Sequence, residues 1–223
     1  MKDWFTLWPT WCHQQQRHSK PKRWIVLDVE TSGLDTHADQ LLSVAALAIH
    51  ISPKGPGLCF ADSFDVVLQQ VDCLSTPENV LLHKIGWAQQ QSGVPVEQAL
   101  RQLVTWVGDS PVVAFHAEFD RHFITKTMNQ YEGMQIEWYW LDLAKLLPAT
   151  FESIQAESLD DWMQALGVSC AQRHQAAADV WATAQLVLIA WGHWCKRGLQ
   201  TLPQLKNLER QNRWLEKLRT QGL

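Results

Sequence analysis

The stretch Trp24-Ile25-Val26-Leu27-Asp28-Val29-Glu30-Thr31-Ser32-Gly33 decides how the rest of the chain is read. Trp24–Val29 is a short apolar run, the pattern of a buried strand. Asp28 interrupts that run, and Glu30 follows two residues later. Alternate residues of a strand point to the same face, so the two carboxylates lie side by side. Neighbouring carboxylates in an apolar element repel each other and resist burial. They are either a solvated strand end or one wall of a site for a divalent cation. Gly33 marks the turn that follows.

Working outward, Leu41–Ile51 reads as a second strand, Pro53–Gly57 as a turn and Cys59–Leu68 as a third strand, an antiparallel meander. Val96, Leu100, Leu103, Val104 and Val107 recur at helical spacing within Pro95–Val107. Pro111–Phe115 is a short buried strand, Glu118–Met128 a helix and Ile136–Leu141 a fifth strand. Leu159–Leu166 and Ala176–Trp194 read as helices, and Pro203 suits the first turn of a last helix over 203–219. Three strands in a row followed by alternating helices and strands predict an α/β fold, a mixed five-stranded sheet flanked by helices.

The composition narrows the chemistry. At 223 residues the chain suits one or two domains, and 46% hydrophobic against 19% charged residues excludes a disordered chain. The net charge of −4 hides a split. Residues 1–24 carry five Lys/Arg and one acid, and residues 196–223 seven and two, leaving residues 25–195 at −13. That excludes a uniformly basic nucleic-acid binder and suits a metal enzyme. No run of 18 apolar residues exists, so no membrane span is expected. There is no secretory pattern, and the five cysteines lack zinc-site or disulfide spacing, which suggests a cytoplasmic protein with reduced thiols. The expected organisation is a Trp-rich basic extension over 1–22, a central domain over 23–195 and a basic C-terminal helix over 196–223.

Two further segments carry polar chemistry. Phe115-His116-Ala117-Glu118-Phe119-Asp120 follows a buried strand and opens a helix, where a carboxylate also suits the helix dipole. His174-Gln175-Ala176-Ala177-Ala178-Asp179 leads into an apolar helix. Five residues turn a helix by about 500°, so two helical side chains at this spacing stand about 140° apart. His174 is therefore expected on the loop before the helix.

Together Asp28–Asp35, Phe115–Asp120 and His174–Asp179 resemble the three motifs of the DEDDh 3′–5′ exonucleases. This is the DnaQ-like family, which includes the proofreading epsilon subunit of bacterial DNA polymerase III. The order and the separations of about 90 and about 60 residues match. Leu82-His83-Lys84-Ile85-Gly86 and Leu141-Asp142-Leu143-Ala144 are similar to two lesser family segments, and the resemblance covers about residues 23–192. One residue departs: His116 stands where the family usually has Asn, which bears on substrate geometry.

The resemblance implies a ribonuclease H-like fold and a two-metal hydrolase. Two Mg²⁺, with Mn²⁺ able to substitute, would be held by Asp28, Glu30, Asp120 and Asp179, with Asp28 bridging both. His174 would be the general base. The product would be nucleoside 5′-monophosphates from single-stranded or frayed DNA 3′ ends. Thr31 would lie near the terminal 3′-hydroxyl, with His83 and His116 as further strand contacts. Leu34, Phe119 and Trp87 could wedge or stack on terminal bases, and core packing is the other role open to Trp87. Two alternatives stay open: an exoribonuclease trimming RNA 3′ ends or short oligoribonucleotides, and a polymerase-associated binding subunit with weak catalysis.

The ends carry separate signals. Thirteen tryptophans are many for this length. Trp4, Trp8 and Trp11 fall on one helical face before the basic tract Arg17, Lys20, Lys22 and Arg23. That extension could pack on the domain, dock a polymerase or other protein partner, or lie on a membrane surface. Leu205, Leu208, Leu215 and Leu218 stripe the last helix, for packing on its own domain or on a partner.

Overall fold

Strand β1 (Arg23–Thr31) is central because both of its faces are apolar up to Asp28. The computed structural model describes residues 22–71, 76–131, 133–170 and 174–220; for Leu82 and residues 212–220 it describes the backbone. After β1 come β2 (Leu41–Ser52) and β3 (Gly55–Val67), then α1 (Pro77–His83), α2 (Trp87–Gln91) and α3 (Val96–Val107). Next are β4 (Val112–Ala114), α4 (Ala117–Met128), β5 (Trp140–Asp142), α5 (Leu143–Thr150), α6 (Leu159–Leu166), α7 (Ala176–Lys196) and α8 (Leu202–Thr220).

The sheet order is β3-β2-β1-β4-β5. β1, β2 and β3 pair antiparallel, while β4 and β5 run parallel to β1. This is the mixed five-stranded sheet that the pattern predicts. Its helices cover both faces. Trp24 and Val26 face α5, α6, α7 and α8, while Ile25, Leu27 and Val29 face α3 and α4. The period-2 alternation of β1 thus feeds two cores.

Three expectations shift. β5 spans only Trp140–Asp142, not Ile136–Leu141, because its partner β4 offers three residues to pair with. β3 begins at Gly55 rather than Cys59, since Gly55 at φ 115° lets the chain reverse over Pro53 and Lys54. Helices α1, α2 and α5, of seven, five and eight residues, are additional to those the sequence pattern predicts. Their start signals are local. Thr76 Oγ1 accepts a hydrogen bond from Asn79 N before α1, and Asp142 Oδ1 accepts one from Ala144 N before α5.

The tryptophan excess resolves in part into core packing. Trp24, Trp162 and Trp194 are fully buried. Trp24 meets Trp191 edge-on at 5.3 Å and stacks on Trp194 at 6.5 Å, pinning α7 to the sheet. Residues 1–21, with Trp4, Trp8 and Trp11, lie outside the described residues. Leu202, Leu205 and Leu208 of α8 are buried against the domain; the side chains of Leu215 and Leu218 lie outside the described set. Among the described residues no helix is long and apolar enough to cross a membrane.

Candidate active site

Strands β4 and β5 end together, and β1 continues past them. Val26, Val113 and Leu141 stand side by side, so Ala114 and Asp142 close their strands at one edge and Asp28 rises just beyond it. Asp28 and Glu30 continue the face of Trp24 and Val26, the face that α7 covers. A register shift between Glu30 and Thr31 breaks the β1–β2 ladder there. Such irregularities re-aim side chains. Carboxyl ends of parallel strands are where open α/β sheets hold ligands.

The loop after β1 is tightly held. Ser32 Oγ donates to Asp39 Oδ1 at 2.8 Å, and the Asp35 amide donates to Asp39 Oδ2 at 2.8 Å. A Cβ at Gly33 would collide with that same carboxylate, so a larger residue would push Asp39 off these bonds. From α4, Lys126 Nζ donates to the carbonyls of Thr36, His37 and Asp39 at 2.7–3.0 Å. From α1, Asn79 Nδ2 donates to the Ser32 carbonyl. Thr31 Oγ1 donates to the Gly33 carbonyl at 2.6 Å, so its hydroxyl serves the turn.

Asp120 sits in the first turn of α4 and is 2% exposed. Burial pushes its carboxyl well above the usual carboxylate range, and the nearby charges of Asp142 and Glu30 push the same way. Backbone hydrogen bonds from its own amide and from Val29 oppose that rise. His116, which caps α4, holds a left-handed backbone at φ 64°. That conformation accounts for the residue type: Asn and His both tolerate it better than most side chains. The departure from the family's Asn thus keeps the turn.

The third segment divides as its spacing demands. His174 is exposed on the loop before α7 at φ 62°, whereas Asp179 is 9% exposed in the first turn of α7. His83 does not present its ring to solvent. It is 4% exposed, its Nδ1 accepts the Ile85 amide at 3.0 Å, and burial lowers its pKa. Leu34 is 84% exposed on the β1–β2 loop and Trp87 is 40% exposed at the start of α2. Phe119 packs on Phe123 at 4.8 Å.

Among the described residues no three His, Cys, Asp or Glu groups form a ready cation cage. The donor chemistry nevertheless fits a divalent ion. Carboxylate oxygens are the ligands that Mg²⁺ and Mn²⁺ prefer. The burial of Asp120 beside the like charges of Asp142 and Glu30 is the cost that such a charge would relieve.

Comparison with known proteins gives the family and the fold. A model of the Exonuclease family matches residues 25–187, a span that includes all three motifs. The chain belongs to the exonuclease family. The DNA polymerase III subunit epsilon of Aquifex aeolicus is 27% identical over 191 residues, covering 83% of this chain and 89% of that protein. The PolC-type DNA polymerase III of Thermotoga maritima is 25% identical over 187 residues, but this chain spans only 13% of its length. Among solved structures, E. coli exonuclease I with a dT13 oligonucleotide aligns at a TM-score of 0.66 and 16% identity, covering 79% of this chain and 42% of that one. Exonuclease X with 5′-overhanging duplex DNA aligns at 0.62 and 17%, covering 83% and 99%. These likenesses show the ribonuclease H-like exonuclease fold.

In this exonuclease, then, the electrostatic neighbours of Asp120 are Glu30, which the first motif supplies, and Asp142, which no motif assigned to the site. Asp142 is bonded to Lys145 Nζ at 2.6 Å, and that ammonium lies 3.9 Å from Glu118. A sequence signal existed: an Asp that ends a short apolar strand and begins a helix, in a segment similar to the family's.

Proposed function

We propose that this exonuclease removes nucleotides one at a time from the 3′ ends of single-stranded or frayed DNA and releases nucleoside 5′-monophosphates. The observation that carries the reading is the meeting of Asp120 with the like charges of Glu30 and Asp142 beside the carboxyl ends of β4 and β5. Asp28, Glu30, Asp120 and Asp179 would hold two divalent cations, Mg²⁺ first and Mn²⁺ as a substitute. Such ions neutralise phosphate charge and stabilise both the attacking and the leaving oxygen of an in-line displacement. The chain's own residues do the rest. His174, on an exposed loop, takes the proton of the attacking water. The P–O3′ bond breaks, the new 3′-hydroxyl stays on the shortened strand, and the 5′-phosphate leaves with its nucleoside. Thr31 holds the turn that brackets the terminal sugar. His116 and Phe119 stand at the start of α4, where the strand enters. Leu34 is exposed enough to meet a terminal base. His83, buried at the end of α1, contributes from beneath the surface. DNA is favoured as substrate because the Aquifex relative is named a DNA polymerase III subunit, and that name also supports a polymerase as the partner for residues 1–22.

The test is digestion of matched DNA and RNA oligonucleotides, labelled at either end, with Mg²⁺ or chelator. Stepwise loss of the 3′ label from DNA, and none in chelator, is the expected result. Asp28→Ala should be inactive yet folded. Wild-type activity in that variant, or a preference for RNA, overturns the reading.

A further inference from the structure

The acidic body must attract a polyanion, which makes its cations informative. Its described basic side chains are Lys54, Lys84, Arg101, Arg121, Lys126 and Lys145; Arg173 lies outside the described residues. Lys54 sits in the β2–β3 turn at the opposite end of the sheet. Arg101 is bonded to Glu97 on its own helix, and Lys126 is committed to three carbonyls of the β1–β2 loop. Lys145 differs. It lies one turn into α5 and joins Asp142, at the end of β5, to Glu118, in the first turn of α4. Its ammonium therefore stands between the N-termini of two helices, over the edge where the carboxylates meet.

Burial and exposure are graded along this bridge. The side chain of Asp142 is 5% exposed, that of Lys145 26% and that of Glu118 81%. The inner carboxylate is a fixed anchor. The outer one is a solvated group 3.9 Å away, beyond hydrogen-bond distance. An anion that displaces Glu118 gains a cation already held in place by Asp142, with little side-chain entropy left to lose. The positive ends of α4 and α5 favour the same anion.

We propose that Lys145 binds a phosphodiester of the substrate strand at this exonuclease site, with Glu118 as the surface carboxylate that the phosphate replaces. This rests on the nuclease reading above. The anion is a backbone phosphate rather than a base, because an ammonium presents point charge without the planar fork that reads base edges.

The test is the salt dependence of kcat/KM on a labelled oligo-dT strand with saturating Mg²⁺. Each phosphate neutralised on a single strand contributes a slope of about −0.7 in log–log form. Lys145→Ala and Lys145→Gln should flatten the wild-type slope by about 0.7. Between 50 and 200 mM salt the wild type then loses about 2.6-fold more kcat/KM than either variant. Lys145→Arg should keep the slope, and Lys54→Ala, at the far end of the sheet, should keep it too. If Lys145 only positions Asp142, both neutral variants lose activity by one factor at all salt concentrations and the slope stays, which overturns the inference. Equal flattening by Lys54→Ala overturns it as well, since net charge then explains the effect. A wild type that does not cleave the strand removes the nuclease reading and this inference together, whereas cleavage with an unchanged slope removes this inference alone. Melting curves and the Gln and Arg variants guard against a folding defect.

Discussion

Replacing Asp120 by Asn should make the exonuclease more stable in chelator and insensitive to Mg²⁺. Asp120 is 2% exposed, and its carboxyl is raised by burial and by the charges of Asp142 and Glu30. A carboxyl whose folded pKa lies above its unfolded value costs stability once ionised, and that cost grows as pH rises through the folded pKa. Like charges a few ångströms apart in a protein repel by about 2–4 kcal/mol. Asn removes that repulsion and still offers one oxygen to the Val29 amide. Exchanging a charged acceptor for a neutral one gives back about 1–2 kcal/mol. The net gain centres on about 1.5 kcal/mol, or about 3–6 °C in Tm for a chain of this size. A cation at ten times its Kd stabilises the wild type by about 1.4 kcal/mol, and the variant lacks one of its ligands. Thermal melts at pH 7.5, with chelator and across a Mg²⁺ titration, read both effects. A variant that melts below the wild type in chelator, or gains as much from Mg²⁺, would refute the reasoning.

Other outcomes follow from the same structure. Arg23 grips Asp62 with Nε and Nη2 at 2.7 Å each and, with help from His50, lowers its carboxyl from 3.8 to about 2. Discounted for its partial exposure, that shift is about 1–2 kcal/mol, present above about pH 4 and lost as pH falls toward 2. Urea unfolding of Asp62→Asn should show that deficit at pH 7 and its disappearance in strong acid; a constant deficit would count against the ion pair. His116→Asn should melt within about 1 °C of the wild type. His116→Val should lose about 1–2 kcal/mol, because a β-branched residue resists the left-handed backbone at φ 64°. Equal Tm values for both variants would show that the cap is not strained. Leu205→Ala empties a fully buried contact of α8 and should cost about 3 kcal/mol by denaturant unfolding. A loss under 1 kcal/mol would mean that α8 is dispensable.

The local placement of the candidate site residues was legible because it depends on near neighbours. The strand pattern around Asp28 and Glu30, and the helix arithmetic that put His174 on a loop, need only near neighbours in sequence. The fold class followed from the order of the periodic segments. What was not legible depends on distance along the chain. The length of β5 is set by β4, 26 residues earlier, since a ladder extends only as far as its partner. The commitment of His83 to the interior depends on what covers α1, and Ile85 is the partner that fixes its ring.

By itself, then, the sequence determined the kinds of group and their order: carboxylates, a histidine and apolar strands to carry them. Tertiary structure decided which charges meet. Asp142 joins Asp120 and Glu30, and Lys145 bridges Asp142 to Glu118, because parallel pairing brings strand ends together that are far apart in the chain. Electrostatic energy depends on separation in space and on burial, and neither quantity is written in a linear order of residues.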